Sequence, residues 1–212
     1  MSTLPDTIII TAGNETAQYV KQAVEVKEAP AALQNMTFYS QQDPRWASFE
    51  YDKGYTIGKS GCLITCIAMI GSMYYDGTCD PLEVAQRLKS KRAFSTGLLT
   101  KPEAISRCWE HLTYAGATNW HYVPADLREL KRELELFDAT IIQVLAHPGR
   151  DLRIVDNSHF VVLRKLMEHD ALIVDPWDGQ TKALLQSSYT LPGWSLQRAI
   201  YGMRRFRVIR DD

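Results

Sequence analysis

No apolar run in this chain approaches the roughly 20 residues that a membrane-spanning helix needs, so no membrane-embedded role is expected. The first residues, MSTLPDTIIITAG, have neither the positive start nor the long apolar core of a secretory signal. Synthesis in the cytoplasm is expected, and any action outside the cell of origin needs something else to deliver or release the protein. Neither sign of charge dominates: 24 Lys and Arg stand against 25 Asp and Glu. Nucleic-acid and anionic-membrane partners draw their affinity from a basic surface that releases counterions, and neither is expected here. The short basic run Arg204-Arg205-Phe206-Arg207 reads as a solvated strand face. Cysteine is scarce too. Four cysteines, with no C-x-x-C and no Cys/His set at zinc spacing, do not make a disulfide framework and argue against a structural zinc site. No metal or organic cofactor is expected. Low-complexity tracts and internal repeats are also lacking.

What remains is a globular composition, 45% hydrophobic and 23% charged. A length of 212 residues suits one buried domain with an appendage. Residues 1–35 read as an arm or docking element for a protein partner. In it, Thr7-Ile8-Ile9-Ile10 suggests a strand and Glu15 to Lys27 a weakly amphipathic helix, before a break around Pro30. Residues 36–212 form the main domain. Residues 62 to 74 are apolar on most sides, as expected of a buried helix. Asp80-Pro81-Leu82-Glu83 supplies a cap, a first-turn proline and a closing glutamate for the next helix. Thr100-Lys101-Pro102-Glu103 opens a helix carrying Ile105, Cys108, Trp109 and Leu112, and Pro124 precedes a third marked by Leu127, Leu130, Leu134 and Phe137. Ala139 to Leu145, Phe160 to Lys165, Ala171 to Val174 and Tyr201 to Ile209 are short segments, mostly rich in Ile and Val, between turn residues. Helices followed by strands imply an α+β domain with an antiparallel sheet.

The stretch GKSGCLITCIAMI places Cys62 where a glycine turn meets the start of the buried helix. Unpaired N–H groups and the helix dipole lower a thiol pKa at that position. Free cysteine is also among the most buried residue types, and that packing role suits Cys66, Cys79 and Cys108. A cysteine nucleophile needs a histidine held by a third polar group. Of the five histidines, His111 falls in a helix by this reading, His121 and His147 lie beside loops, and His169 is in a turn. His159 opens the strand Phe160-Val161-Val162-Leu163, where a structural histidine is the commoner finding.

Four stretches carry a resemblance. They are Tyr39-Ser40-Gln41-Gln42-Asp43-Pro44-Arg45-Trp46, Thr56-Ile57-Gly58 running into Gly61-Cys62, Ser158-His159-Phe160-Val161-Val162, and Val174-Asp175-Pro176-Trp177-Asp178-Gly179. In this order they resemble the papain-like cysteine peptidases related to the bacteriocin-processing (C-thirty-nine-like) group, from about Met36 to Gln180 or beyond. The resemblance implies a papain-like fold, with a buried nucleophile helix packed on an antiparallel sheet. It implies Cys62 as nucleophile, His159 as general base and then acid, Asp175 as the group orienting the imidazole, and Gln41 as an oxyanion-hole donor. Each residue type suits the role implied for it, since an amide donates without titrating and a carboxylate fixes the imidazole tautomer. On the residues alone Asp175 is equally a turn residue in Asp-Pro, and the motif decides between Gln41 and Gln42. Many relatives have glycine where this chain has Leu63, which implies a narrower cleft or an altered oxyanion region.

Similar domains occur in phage and bacterial cell-wall hydrolases, so the implied substrate is a peptide, first of all the cross-link peptides of peptidoglycan. A protein-processing protease, or a non-catalytic papain-like binding or virion module docked through residues 1–35, is the alternative. Trp46, Trp177 and Trp194 are candidates for a substrate groove or for packing. Asp175, Asp178 and Gly179 hint at a calcium loop that lacks its other oxygen ligands.

Overall fold

A computed structural model of the chain describes residues 7–12, 15–20, 35–75, 78–120, 124–148 and 158–209, the first two stretches as backbone only. The first half runs β1 (Thr7–Ala12), β2 (Glu15–Val20), β3 (Glu50–Asp52), β4 (Tyr55–Thr56), α1 (Ile57–Ser60), α2 (Cys62–Gly71), α3 (Pro81–Ser90), β5 (Phe94–Ser95), β6 (Leu98–Leu99) and α4 (Ala104–Cys108). The second half runs β7 (Leu112–Asn119), α5 (Leu127–Leu136), β8 (Ala139–Leu145), β9 (Ser158–Leu166), β10 (Ala171–Asp175), β11 (Gln180–Ala183), a 3-10 turn (Leu184–Gln186), α6 (Leu196–Ala199) and β12 (Gly202–Val208).

The Ile- and Val-rich segments have apolar side chains at consecutive positions because both faces of their sheet are covered. Ile141, Val162, Val174 and Phe206 enter the core shared with α2, α3 and α4. Their neighbours Ile142, Val161, Ile173 and Met203 enter a second core with Leu130 of α5 and Ala199 of α6. The sheet has six strands in the order β11-β10-β9-β8-β12-β7, and every neighbouring pair is antiparallel. The chain is therefore a mixed α+β structure, as its sequence implies.

Helix α2 is apolar on nearly every side because it lies between β9 and α3, and residues 64 to 71 are all buried. Helix α3 starts as its sequence dictates: the Asp80 carboxylate accepts from the Glu83 N–H at 2.8 Å, with Pro81 in the first turn. Asp126 caps α5 in the same way, taking the N–H groups of Arg128 and Glu129.

Four expectations are corrected. Glu15 does not open a helix: residues 15–20 form β2 and pair antiparallel with β1, Ala12 opposite Glu15. The turn dipeptide Gly13-Asn14 between two strand-forming runs is the hairpin signal; residues 21–34, including the expected break at Pro30, lie outside the described residues. The helix expected through Leu112 stops at Cys108, and the alternating Thr, Tyr and Ala residues from 112 onward pair with β12 as β7. His111 thus precedes a strand and stacks on Tyr74, ring centroids 4.1 Å apart. Gly116 sits at φ 111° where the β7–β12 register shifts, a backbone shape that favours glycine. Finally, the basic run is solvated only at Arg207, which is exposed. β12 lies between β8 and β7, so Arg204 and Arg205 point to opposite sides of a sheet that is covered on both.

Phe206 is fully buried at the centre of the first core. Phe206→Ala is expected to lower the unfolding free energy by about 3–5 kcal/mol, against about 1 kcal/mol for Asp80→Ala. Urea unfolding midpoints measure both, and equal losses would contradict this account of the core.

Candidate active site

The backbone before Cys62 turns too tightly for any side chain at position 61. The Gly61 N–H donates to the Ile57 carbonyl at 2.8 Å, and a Cβ on Gly61 would lie 2.5 Å from that oxygen and 2.6 Å from the Ile57 Cα. Glycine is what lets α1 end and α2 begin one residue later. Cys62 is then the first residue of α2 and half-buried, beside N–H groups that the helix itself leaves unpaired. The backbone N–H groups of Leu63 and Phe160 favour its thiolate.

His159, on β9 opposite Val144 of β8, is nearly buried. Its Nε2 lies 2.9 Å from the Asp175 Oδ1. That leaves Nδ1 as the ring nitrogen for Cys62, which lines the same cleft and acts on the charge of the ring. Asp175, at the end of β10, has no exposed surface. It also accepts from the Trp177 N–H at 2.9 Å, the Tyr189 hydroxyl at 2.6 Å and the Lys182 ammonium. The Tyr189 ring leans on the imidazole, centroids 4.7 Å apart.

These contacts decide the charges. Burial alone would protonate Asp175, but His159, Lys182 and Tyr189 hold its carboxyl well below the usual carboxylate range. Burial also works against a charged His159, yet the hydrogen bonds to Asp175 and Cys62 prevail and raise it from 6.5 to about 9. At Cys62 burial opposes the thiolate, while His159 and the two backbone N–H groups outweigh it and bring the thiol below its ordinary 9.0. The other cysteines go the opposite way through burial: Cys66 well above 9.0, Cys79 to about 12, and Cys108 upward. Cys66 lies one turn behind Cys62, its thiol donating to the Phe160 carbonyl at 3.3 Å.

Gln41 reaches the same place from far upstream. Its backbone N–H donates to the Pro176 carbonyl at 2.6 Å, and Ser40 Oγ to the Trp177 carbonyl at 2.8 Å. The segment is thereby fastened to the turn that follows Asp175. The Gln41 amide donates to the Gly58 carbonyl at 2.9 Å, and that acceptor fixes its orientation. One of its two N–H bonds remains unused. Gln42 donates to the same carbonyl at 2.6 Å but is exposed, whereas Gln41 is buried and lines the cleft beside Cys62.

Cys62, His159 and Gln41 share a cleft of about 1470 Å³, with Asp175 behind His159. Leu63 forms part of its wall, and the half-exposed Leu98, Trp177 and Leu191 stand along it. Of the three tryptophans singled out, Trp177 alone is on the cleft; Trp46 is buried with its Nε1–H on the Ser40 carbonyl, and Trp194 packs in the second core. Between Asp175 and Asp178, where the sequence hints at calcium, lies the Lys182 ammonium, 2.7 Å from the Asp178 Oδ2. Among the described residues no group of three His, Cys, Asp or Glu could hold a metal ion, and no helix is long and apolar enough to cross a membrane. His147 lines the cleft and His169 is exposed, while His121 lies outside the described residues. Tyr189 and Lys182 are neighbours of the candidate site that the sequence does not announce, since both reach Asp175 from loop or edge-strand positions with no spacing signal.

Comparison with protein-family models, with curated proteins and with solved structures finds no match to this chain.

The charge pattern predicts selective labelling. Iodoacetamide near neutral pH is expected to modify Cys62 ahead of Cys66, Cys79 and Cys108. His159→Ala keeps the burial and removes the cation, so the Cys62 midpoint moves upward and its neutral-pH rate falls about tenfold for each pH unit moved. Peptide mapping by mass spectrometry across pH reads both effects, and a Cys62 rate indifferent to His159→Ala would contradict the pairing.

Proposed function

We propose that this chain is a papain-like cysteine peptidase or amidase, with residues 36–212 as the catalytic domain and residues 1–35 as a docking arm. One observation carries the reading. A thiol at a helix N-terminus shares a cleft with an imidazole whose Nε2 is 2.9 Å from a fully buried carboxylate. That arrangement favours a thiolate–imidazolium pair, and nucleophilic acyl transfer is the chemistry such a pair serves.

In this reading the Cys62 sulfur attacks a peptide carbonyl carbon, and the carbonyl π electrons move onto oxygen. The unused Gln41 N–H supports the oxyanion. Its collapse breaks the C–N bond, and the leaving amine takes the proton from His159. Water then adds to the thioester with His159 as base, releasing the acid and restoring the sulfur. Asp175 keeps the imidazole oriented and stabilises its charge. The cleft volume exceeds the roughly 300–1,000 Å³ of small-ligand sites, and its Leu98, Trp177 and Leu191 flanks suit an extended peptide. Peptidoglycan cross-link peptides, reached by lysis or carriage in a virion, are the proposed substrate.

Purified sacculi provide the test. The native protein is expected to release new free amines and Cys62→Ala none. His159→Ala is expected to lose about 10²–10⁴ in rate, and Gln41→Ala about 10²–10³. Mass spectrometry of the digest identifies the bond. Amine release retained by Cys62→Ala, or an opened sugar linkage, would overturn the proposal. An inert Cys62 together with a partner held by residues 1–35 would favour a non-catalytic module.

A further inference from the structure

Two neighbouring arginines on β12 are treated oppositely by the fold. Arg205 is neutralised: it lies 2.6 Å from the Glu133 Oε2 and 3.9 Å from the Glu129 Oε1. Arg204, on the other face, lines the cleft with Cys62 and Gln41. Its Nη1 is buried without a hydrogen-bond partner, and its guanidinium lies over the Phe160 ring, 4.1 Å from Cζ to the centroid. Phe160 is the residue after His159. No Asp or Glu is among the described residues that line the cleft, whereas Lys59 is.

A cation taken from water needs compensation that a ring face supplies only in part. Burial pulls Arg204 below its ordinary value, and Cys62 is among the few groups whose negative charge acts the other way. Arginine does not lose its proton in such a place. It waits with a planar donor fork that matches a carboxylate. We infer that Arg204 anchors a carboxylate of the substrate, so that the peptide cut carries an acidic group close to the scissile bond. This rests on the peptidase reading and adds to it a substrate class: acidic peptides, among which wall peptides with free carboxylates belong. In the free protein the unpaired guanidinium is the feature that such a substrate completes. Neutral peptides of equal size leave it unpaired, and the difference is the source of selectivity.

The test is protection of Cys62 in the full chain against iodoacetamide by two N-acetylated, C-amidated peptides, Ala-Ala-Glu-Ala-Ala and Ala-Ala-Gln-Ala-Ala. Either can slide to offer its central side chain at any point of the cleft. The glutamate peptide is expected to half-protect at a concentration about tenfold or more below the glutamine peptide. Each variant is read against its own rate without peptide. Arg204→Met is expected to erase the difference and Arg204→Lys to keep part of it. Equal half-protection by the two peptides in the native chain, absence of protection by either, or a preference that survives Arg204→Met would overturn the assignment. Should Arg204→Met not fold, the native chain and Arg204→Lys still decide it. Labelling of Cys62 no faster than that of an unstructured thiol, with no peptide present, would instead sink the peptidase reading itself.

Discussion

A single carboxylate, sealed from water, sets the charge state of everything around it. Asp175 has no exposed surface, and an unpaired ion there would not survive. Four donors keep it ionised: an imidazole, an ammonium, a phenol and a backbone N–H. Its negative charge in turn favours a protonated His159, and the protonated ring favours the Cys62 thiolate. Taking away any earlier link weakens every later one. Tyr189 and Lys182 therefore serve the sulfur without touching it.

The scaffold brings these groups together through ordinary packing. β9 and β10 are hydrogen-bonded neighbours, which places the strand-borne His159 near the end of β10 where Asp175 stands. α2 packs against β9 through an apolar surface that wraps most of the helix, and this fixes the position of its first residue. Gln41 arrives through backbone contacts to the turn after Asp175. Carboxylate and amide are thereby positioned by the same short segment, residues 175 to 179.

Much of this was legible in the chain alone, wherever one local rule acted without competition. The cap at Asp80, the apolar helix after Gly61 and the strand Ala139–Leu145 follow from spacing and side-chain type. The four candidate site residues follow from motif order, and the fold brings Cys62, His159 and Gln41 to one cleft with Asp175 behind His159. Where two rules competed, the reading failed. Leu112 falls on the helical stripe of Ile105, Cys108 and Trp109, yet pairing with Val208 of β12 draws it into the sheet. Glu15 to Val20 likewise follows strand pairing over a weak helical period. Arg204 and Arg205 read as solvated because a sequence does not reveal that their strand lies inside a sheet covered on both faces. Tyr189 and Lys182 had no local signature, since their role exists only in three dimensions.

The Ser40–Trp177 hydrogen bond joins positions 137 apart. Contacts of such sequence separation form late, after the loop-closure entropy between them has been met. During synthesis the ribosome exposes the cysteine long before the histidine and aspartate have emerged, so the nascent sulfur keeps an unperturbed thiol's modest reactivity. The lowering of the Cys62 pKa coincides with completion of the sheet, and a stalled or truncated product carries only an ordinary thiol.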